Sequence, residues 1–332
     1  MPPVGTVPVT AATSLVTSIT RTAGQRSTER LAARILGMLL PHRRAADPEF
    51  DARPEHFPLQ LAQLADFIDA GEPIVFTLPG FPCKSPNPAK VLGHLPDEGE
   101  RLSLAFLHGL CARIGRIHPP GARILICSDG HIFGDVIDVP DDHIDEYSDE
   151  LAAMIEREGL RHLDTFDLRS VLGDLPYDEK RARVHEQYAP SVEELREQVL
   201  TEQETLRLYR GIIRFLTEDA TGFPGTRSAL QRECRRRAYR VIQRSRAWGE
   251  LIAEQHPRAV RLSIHPQPAG AAKFGIRLLA AADAWTTPWH SAALHRPDGS
   301  WELLRNEEAA RLGRLVERNG RPSHYESHYQ SH

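Results

Sequence analysis

Cysteine is scarce and scattered in this sequence. Cys83, Cys111, Cys127 and Cys234 form no C-x-x-C pair, and four such residues are too few and too dispersed for a disulfide scaffold in a chain of 332. A reducing cytoplasm is the expected compartment. Long hydrophobic runs are missing too: nowhere do about 18 uninterrupted apolar residues occur. Residues 1–20 lack a basic region ahead of their weakly apolar stretch. Neither membrane spanning nor secretion is expected. Charge of one sign is not in excess, and a formal net charge of -4 gives no overall pull toward nucleic acid or an anionic membrane. Several signatures are absent: G-x-G-x-x-G after a strand, G-x-x-x-x-G-K-[ST], G-x-S-x-G and H-E-x-x-H. Dinucleotide redox chemistry, P-loop hydrolysis, serine hydrolysis and zincin proteolysis lose support accordingly.

What is there suffices for a folded protein. With 41% hydrophobic and 26% charged residues, the chain can bury one large core, or a core with a smaller satellite. Residues 1–27 are rich in Thr, Ala, Pro and Ser without periodicity, so they are expected to be a disordered tail. Short apolar, β-branched runs at 74–78, 123–127, 260–264 and 275–279 read as strands. Helical spacing falls between them, with Leu102, Ala105, Phe106, Gly109 and Leu110 on one face, and Val192, Leu195, Val199 and Leu206 on another. This alternation predicts an α/β fold with a Rossmann-like, mainly parallel sheet flanked by helices and a smaller C-terminal domain or extension. The expected organisation is a Rossmann-like domain over 28–220, a C-terminal part completing the site over 221–322, and a polar tail over 323–332. The three His of that tail are given no function.

The longest helix is predicted to start near Thr226, where Leu230, Cys234, Ala238, Val241, Ser245, Trp248 and Ile252 recur every three or four residues. Its opposite face carries Arg232, Arg235, Arg236, Arg237, Arg240, Arg244 and Arg246. That face fits an RNA contact, but the acidic stretch 135–158 favours internal pairing or plain solvation instead.

Ligands in open α/β sheets bind beyond the carboxyl ends of the strands, which singles out three loops. The first, 79–87, carries Lys84 among prolines that restrict its backbone, together with Ser85 and Asn87. Its ammonium suits a phosphate or carboxylate, and equally suits a plain surface loop. The second, Ser128-Asp129-Gly130-His131, sets a carboxylate and an imidazole two residues apart on a turn in which Gly130 can take positive φ, with Asp135 nearby. An ordinary Asx turn is the competing reading. The third follows 260–264 and contains His265, with Lys273 after it. Arg227 at the entrance of the long helix is a further anion-site candidate. Trp285, Trp289 and His290 offer rings to an aromatic ligand, or form a packed corner of the core.

The order and wording of these segments resemble the isonitrile (isocyanide) synthase family, also described as the pyoverdine and dityrosine biosynthesis family. The stretches that carry the resemblance are FPCKSPN (81–87), HLPDEGE (94–100), SDGHIFGDVIDV (128–139), GFPGTRS (222–228), RLSIHPQ (261–267) and TTPWH (286–290), together covering roughly 70–290. Two positions depart from the family pattern: Cys83, where a small residue such as Ala is frequent, and His131, where Arg is frequent. The resemblance implies a Rossmann-like fold without the dinucleotide fingerprint. It implies L-tyrosine or L-tryptophan as substrate and ribulose 5-phosphate as one-carbon donor, joined through an imine, with no metal and no nicotinamide. A pathway partner of the Fe(II)/2-oxoglutarate-dependent oxygenase class is implied as well. For this chemistry the expected acid and base groups are Asp129, His131, Asp135 and His265. The expected substrate and phosphate ligands are Lys84, Ser85, Asn87, Arg227, Lys273, Trp289 and His290. Another sugar-phosphate or nucleotide-binding α/β enzyme is the alternative enzyme reading, and an RNA module built on 226–255 is the alternative outside enzymes.

Overall fold

A computed structural model describes residues 23–328, apart from 282, 284 and 285. Helices α1 (Ala23–Leu39) and α2 (Pro58–Ala70) lead into strand β1 (Ile74–Pro79). Helix α3 (Glu98–Gly115) then crosses to β2 (Ala122–Cys127). After α4 (Gly130–Ile137) and α5 (Asp141–Arg157) comes β3 (Leu163–Phe166). A helical stretch follows: α6 (Leu168–Leu172), α7 (Tyr177–Tyr188), α8 (Val192–Thr201), α9 (Gln203–Asp219) and α10 (Arg227–Gln255). Strands β4 (Val260–Ser263) and β5 (Phe274–Gly275) complete a parallel sheet of order β3-β2-β1-β4-β5. The α/β, Rossmann-like expectation is met.

Both faces of this sheet are covered, which is why its strands read as nearly unbroken apolar runs. On one side Ile74, Phe76, Leu78, Ile124 and Ile126 pack with residues of α1, α2, α3 and α5. On the other, Cys127 joins Ile132 of α4 and Trp248, Leu251 and Ile252 of α10. The α10 stripe read from the sequence is the packed one: Cys234, Ala238, Val241, Trp248 and Ile252 are all buried, and Ser245 alone faces out. Thr226 caps the helix, its hydroxyl accepting from the Ala229 amide at 3.2 Å.

The second unit is a mixed sheet of order β6-β8-β7-β10-β9. It comprises β6 (Ala280–Ala281), β7 (Ala292–His295), β8 (Trp301–Leu304), β9 (Gly313–Arg318) and β10 (Arg321–Ser327), with α11 (Asn306–Leu312) packed against it. This sheet is the extension expected at the C-terminal side. It takes in residues assigned to a frayed tail: Ser323 and His324 are buried in β10, and the His324 ring meets Trp301 edge-on. The dividing line at 220 also moves, because β4 and β5 belong to the first sheet. At the other end, α1 opens at Ala23, ahead of the expected start at Thr28, while residues 1–22 lie outside the described residues. Leu206 does not extend the face of Val192, Leu195 and Val199, since the chain turns extended at Glu202 between α8 and α9.

Gly130 is glycine for a reason other than the expected turn. It is the first residue of α4, and a Cβ there would lie 2.0 Å from the Pro82 carbonyl oxygen and 2.7 Å from Ile144 Cγ2. The loop after β1 thus presses on the helix after β2. Gly130→Ala is expected to cost about 3 kcal/mol or more, because backbone cannot yield as a side chain can. A urea midpoint equal to that of the parent chain would refute this close approach.

Candidate active site

The strand order reverses between β1 and β4, so the crevice beyond their carboxyl ends is where a doubly wound sheet accepts ligands. The registers of β1 with β2 and with β4 bring Cys127, Pro79 and Ser263 to one level, which sets the ends of β2 and β4 about 10 Å apart. Asp129 lies two residues beyond one end and His265 two residues beyond the other. Between them the chain leaves β1 through Phe81, held at φ 54, a left-handed conformation that a bulky residue adopts only under constraint. The constraint is visible: the Phe81 side chain is buried against Trp289, and its carbonyl accepts from the Ser128 hydroxyl at 2.6 Å.

Asp129 is half-buried at the head of α4, and its Oδ1 is buried without a hydrogen-bond partner among the described residues. Loss of water around the carboxylate, only partly offset by its own backbone amide, pushes its pKa up to about 7. At neutral pH such a group both takes up and releases a proton. His265 is exposed beyond the end of β4, and its pKa is lowered by desolvation first and then by Arg44, Lys273 and His290. His290 closes the short 3-10 turn Pro288–His290, with Nδ1 3.3 Å from the Thr287 hydroxyl and its ring near Phe215. Burial first, then Lys90 and Lys84 against Asp219, brings its pKa to about 4. Both imidazoles are therefore neutral at pH 7. Arg44 binds this rim together, donating to the carbonyls of Ile264 and Thr286.

Of the expected site residues, Asp129 and His265 stand just beyond the strand ends, and Lys273 and His290 are near enough to His265 to act on its charge. Others are engaged elsewhere. Lys84 is 2% exposed, and its ammonium donates to Asp97 (2.7 Å), Glu100 (2.7 Å) and the Pro288 carbonyl (2.9 Å), which uses all three of its protons. Ser85 donates to Asp219 at 2.9 Å, and Asn87 to the Glu218 carbonyl at 2.8 Å. The loop is thus a staple joining β1, α3, α9 and the turn before β7, and none of the three side chains is presented to a ligand. Trp289 is buried in the core beside Phe81 and Gly80, whereas Trp285 lies outside the described residues.

Three more expectations are corrected. His131 is buried, stacked on Tyr177 with ring centroids 3.9 Å apart, and its Nε2 lies 3.2 Å from Asp145, so it faces α5 and α7. Asp135 is ion-paired with Arg244, Arg240 and Arg181. Burial raises its pKa, but the Arg244 hydrogen bond and the fields of all three arginines outweigh that and keep it ionised, which unsuits it for carrying protons at neutral pH. Arg227 is exposed at the start of α10. Trp248, further along the same helix, donates to the Cys127 carbonyl at the end of β2, and a rise of 1.5 Å per residue puts Arg227 roughly 30 Å away from that point.

Sequence reasoning passed over Asp97, Glu100, Lys90 and Asp219, which hold the staple, and Arg44 and Arg261. Asp97, Glu100 and Arg261 stand inside stretches that carried the family resemblance, so the signal was present. The distant partner that gives each its role was not.

Comparisons with known proteins agree with this architecture. The family model described as pyoverdine/dityrosine biosynthesis protein matches residues 64–316. An L-tyrosine isonitrile synthase of Pseudomonas aeruginosa is 47% identical over 313 residues, covering 90% of this chain and 94% of that protein. An L-tryptophan isonitrile synthase of Fischerella ambigua is 40% identical over 269 residues, covering 80% of this chain and 81% of its own length. The crystal structure of the PvcA protein from Pseudomonas aeruginosa superposes with a TM-score of 0.83 at 46% identity, covering 89% of this chain and 99% of that one. With the family model spanning most of its length and these relatives matched nearly end to end, the chain belongs to the pyoverdine/dityrosine biosynthesis family of isonitrile synthases.

Proposed function

We propose that this chain converts the α-amino group of L-tyrosine or L-tryptophan to an isonitrile, taking the carbon from ribulose 5-phosphate through an imine. The observation that carries the reading is the Asp129 carboxylate: partnerless at Oδ1, half-buried, with a pKa of about 7, at the rim of a sheet whose relatives include synthases named for these two amino acids. Imine formation needs the ammonium of the amino acid to lose a proton and the ketone oxygen to gain protons and leave as water. A carboxylate that titrates near neutrality serves both needs, and neutral imidazoles at His265 and His290 supply further sites for the proton transfers that accompany elimination and carbon-carbon cleavage. In this scheme no bound metal or nicotinamide takes part. An Fe(II)/2-oxoglutarate-dependent oxygenase is the class of enzyme that would consume the product.

The nucleic-acid alternative loses its main support. Arg236, Arg237, Arg240 and Arg244 of α10 each have a carboxylate partner within the chain. The deciding experiment incubates the purified protein with each aromatic amino acid, with and without ribulose 5-phosphate, and follows the isonitrile by infrared absorption and mass. Product is expected only when both substrates are present, and its yield unchanged after dialysis against a chelator. Absence of product with every amino acid sinks the proposal.

A further inference from the structure

The arginines of α10 are not all paired with carboxylates among the described residues. Among the described residues Arg246 has no carboxylate partner, and its guanidinium donates to the side-chain oxygen of Gln198 and to the Thr205 hydroxyl at 3.5 Å, both neutral groups. Across from it, Arg261 of β4 donates to the Gly249 carbonyl at 3.3 Å and has no carboxylate partner among the described residues. Lys273, just before β5, makes neither a hydrogen bond nor an ion pair among the described residues. The pairing of Leu262 with Phe274 makes Arg261 and Lys273 neighbours on adjacent parallel strands, so both side chains leave the same face of the sheet, the one under α10.

The two cations meet at Gly249. A methyl group on its Cα would stand 3.5 Å from Arg261 Nη2 and 3.8 Å from Lys273 Nζ, so both border one methyl-sized space beside the helix. Burial, followed by the fields of Arg261 and Arg246, weakens the hold of Lys273 on its proton. Glu250 and Glu204 act in the other direction, but neither forms an ion pair with it. Like charges gathered in a protein wall repel one another unless an anion joins them. A dianion with several acceptor oxygens answers two guanidinium forks and an ammonium better than a single carboxylate does.

We propose that Lys273 and Arg261, which meet at Gly249, form together with Arg246 of α10 the subsite for the phosphate of the carbon-donor sugar, with His265 beyond it at the rim. This assignment rests on the sugar-phosphate reading above. It moves the phosphate away from Lys84 and Arg227 to the β4–β5 side of the switch point. The neighbouring His265, on whose ring Lys273 acts directly, then faces the carbon end of the sugar.

The test compares the parent chain with Lys273→Gln, Arg261→Gln, Lys273→Arg and Gly249→Ala. Loss of one charged phosphate contact is expected to raise KM for ribulose 5-phosphate about 10- to 100-fold in the two Gln variants, with KM for the amino acid unchanged. Lys273→Arg should restore most of the affinity. Gly249→Ala adds only ordinary van der Waals contacts to a helix, so it keeps the fold and still narrows the subsite, raising the same KM. Inorganic phosphate supplies an independent readout: it should compete with ribulose 5-phosphate and bind the parent chain in a titration, and bind Lys273→Gln far more weakly. If isonitrile forms normally while KM for the sugar is unmoved in both Gln variants, the subsite is overturned and the donor reading stands. If no isonitrile forms from ribulose 5-phosphate yet phosphate binding still depends on Lys273, the donor reading fails and the anion subsite survives.

Discussion

Asp129→Asn is expected to lower the rate of isonitrile formation by about 10²- to 10⁴-fold, the usual weight of one general acid-base group, while leaving the protein folded and more stable than the parent above pH 7. The two effects share one cause. Folding strips water from the Asp129 carboxylate without giving Oδ1 a partner, and its pKa moves from the usual 3.8 to about 7. Between about pH 4 and 7 the folded chain therefore holds a proton that the unfolded chain has released, so this group makes stability fall as pH rises across that window. A shift of this size amounts to roughly 4 kcal/mol at most, and the amide of Asn removes it. Thermal melts from pH 4 to 9 and the pH-rate profile check both halves together. The parent should show a limb near pH 7 that is missing from the residual activity of the variant. A variant with full activity, or one less stable at pH 8, would contradict the assignment of Asp129 as an unpartnered proton carrier.

The path from sequence to this site was legible in part. The strands 74–78 and 123–127 and the capped helix at Thr226 could be read because each depends on local patterns: apolar runs of strand length, and a hydroxyl three residues before a free amide. The second sheet was not legible. Its strands are as short as two residues, and in β9 only Gly313 is buried, so no clean alternation develops. Loop positions behaved in the same way. Asp129 and His265 follow directly from strand ends, and the rule for open sheets found them. Lys84, Ser85 and Asn87 sit in an equally suggestive loop, but their partners lie 13, 134 and 131 residues away in sequence. Nothing local distinguishes a lysine waiting for phosphate from one already holding two carboxylates. His131 and Asp135 failed similarly: α4 turns them away from the rim, toward Tyr177 and Arg244.

Lys84→Met provides the largest stability effect and decides what that lysine does. Its ammonium sits between Asp97 and Glu100, all three buried, and Tyr147 donates to the other oxygen of Glu100 at 3.2 Å. One positive charge cannot balance two ionised carboxylates away from water. Desolvation, opposed by Lys84 and reinforced by Glu100, raises the Asp97 pKa to about 8, so one carboxyl of the pair tends to keep its proton at neutral pH. For Lys84, burial lowers the pKa, but the two carboxylates outweigh it and the net shift is upward. Its stabilising contribution is therefore present below the ordinary lysine pKa of 10.5 and is lost only as pH climbs beyond it. Removing the ammonium leaves both acids without a counter-charge, which costs about 3–5 kcal/mol for a buried pair. The loss should be smaller at pH 5, where the Asp97 carboxyl is protonated, than at pH 8. Asp97→Asn in the same chain should recover part of it, since the Asn oxygen can still accept from the Gly99 amide that Asp97 Oδ1 now caps at 2.8 Å. Urea titrations of the two single variants and the double variant at both pH values test this. If Lys84→Met instead melts with the parent chain at pH 8 and only its KM for ribulose 5-phosphate rises, then the ammonium belongs to the substrate and the staple is secondary.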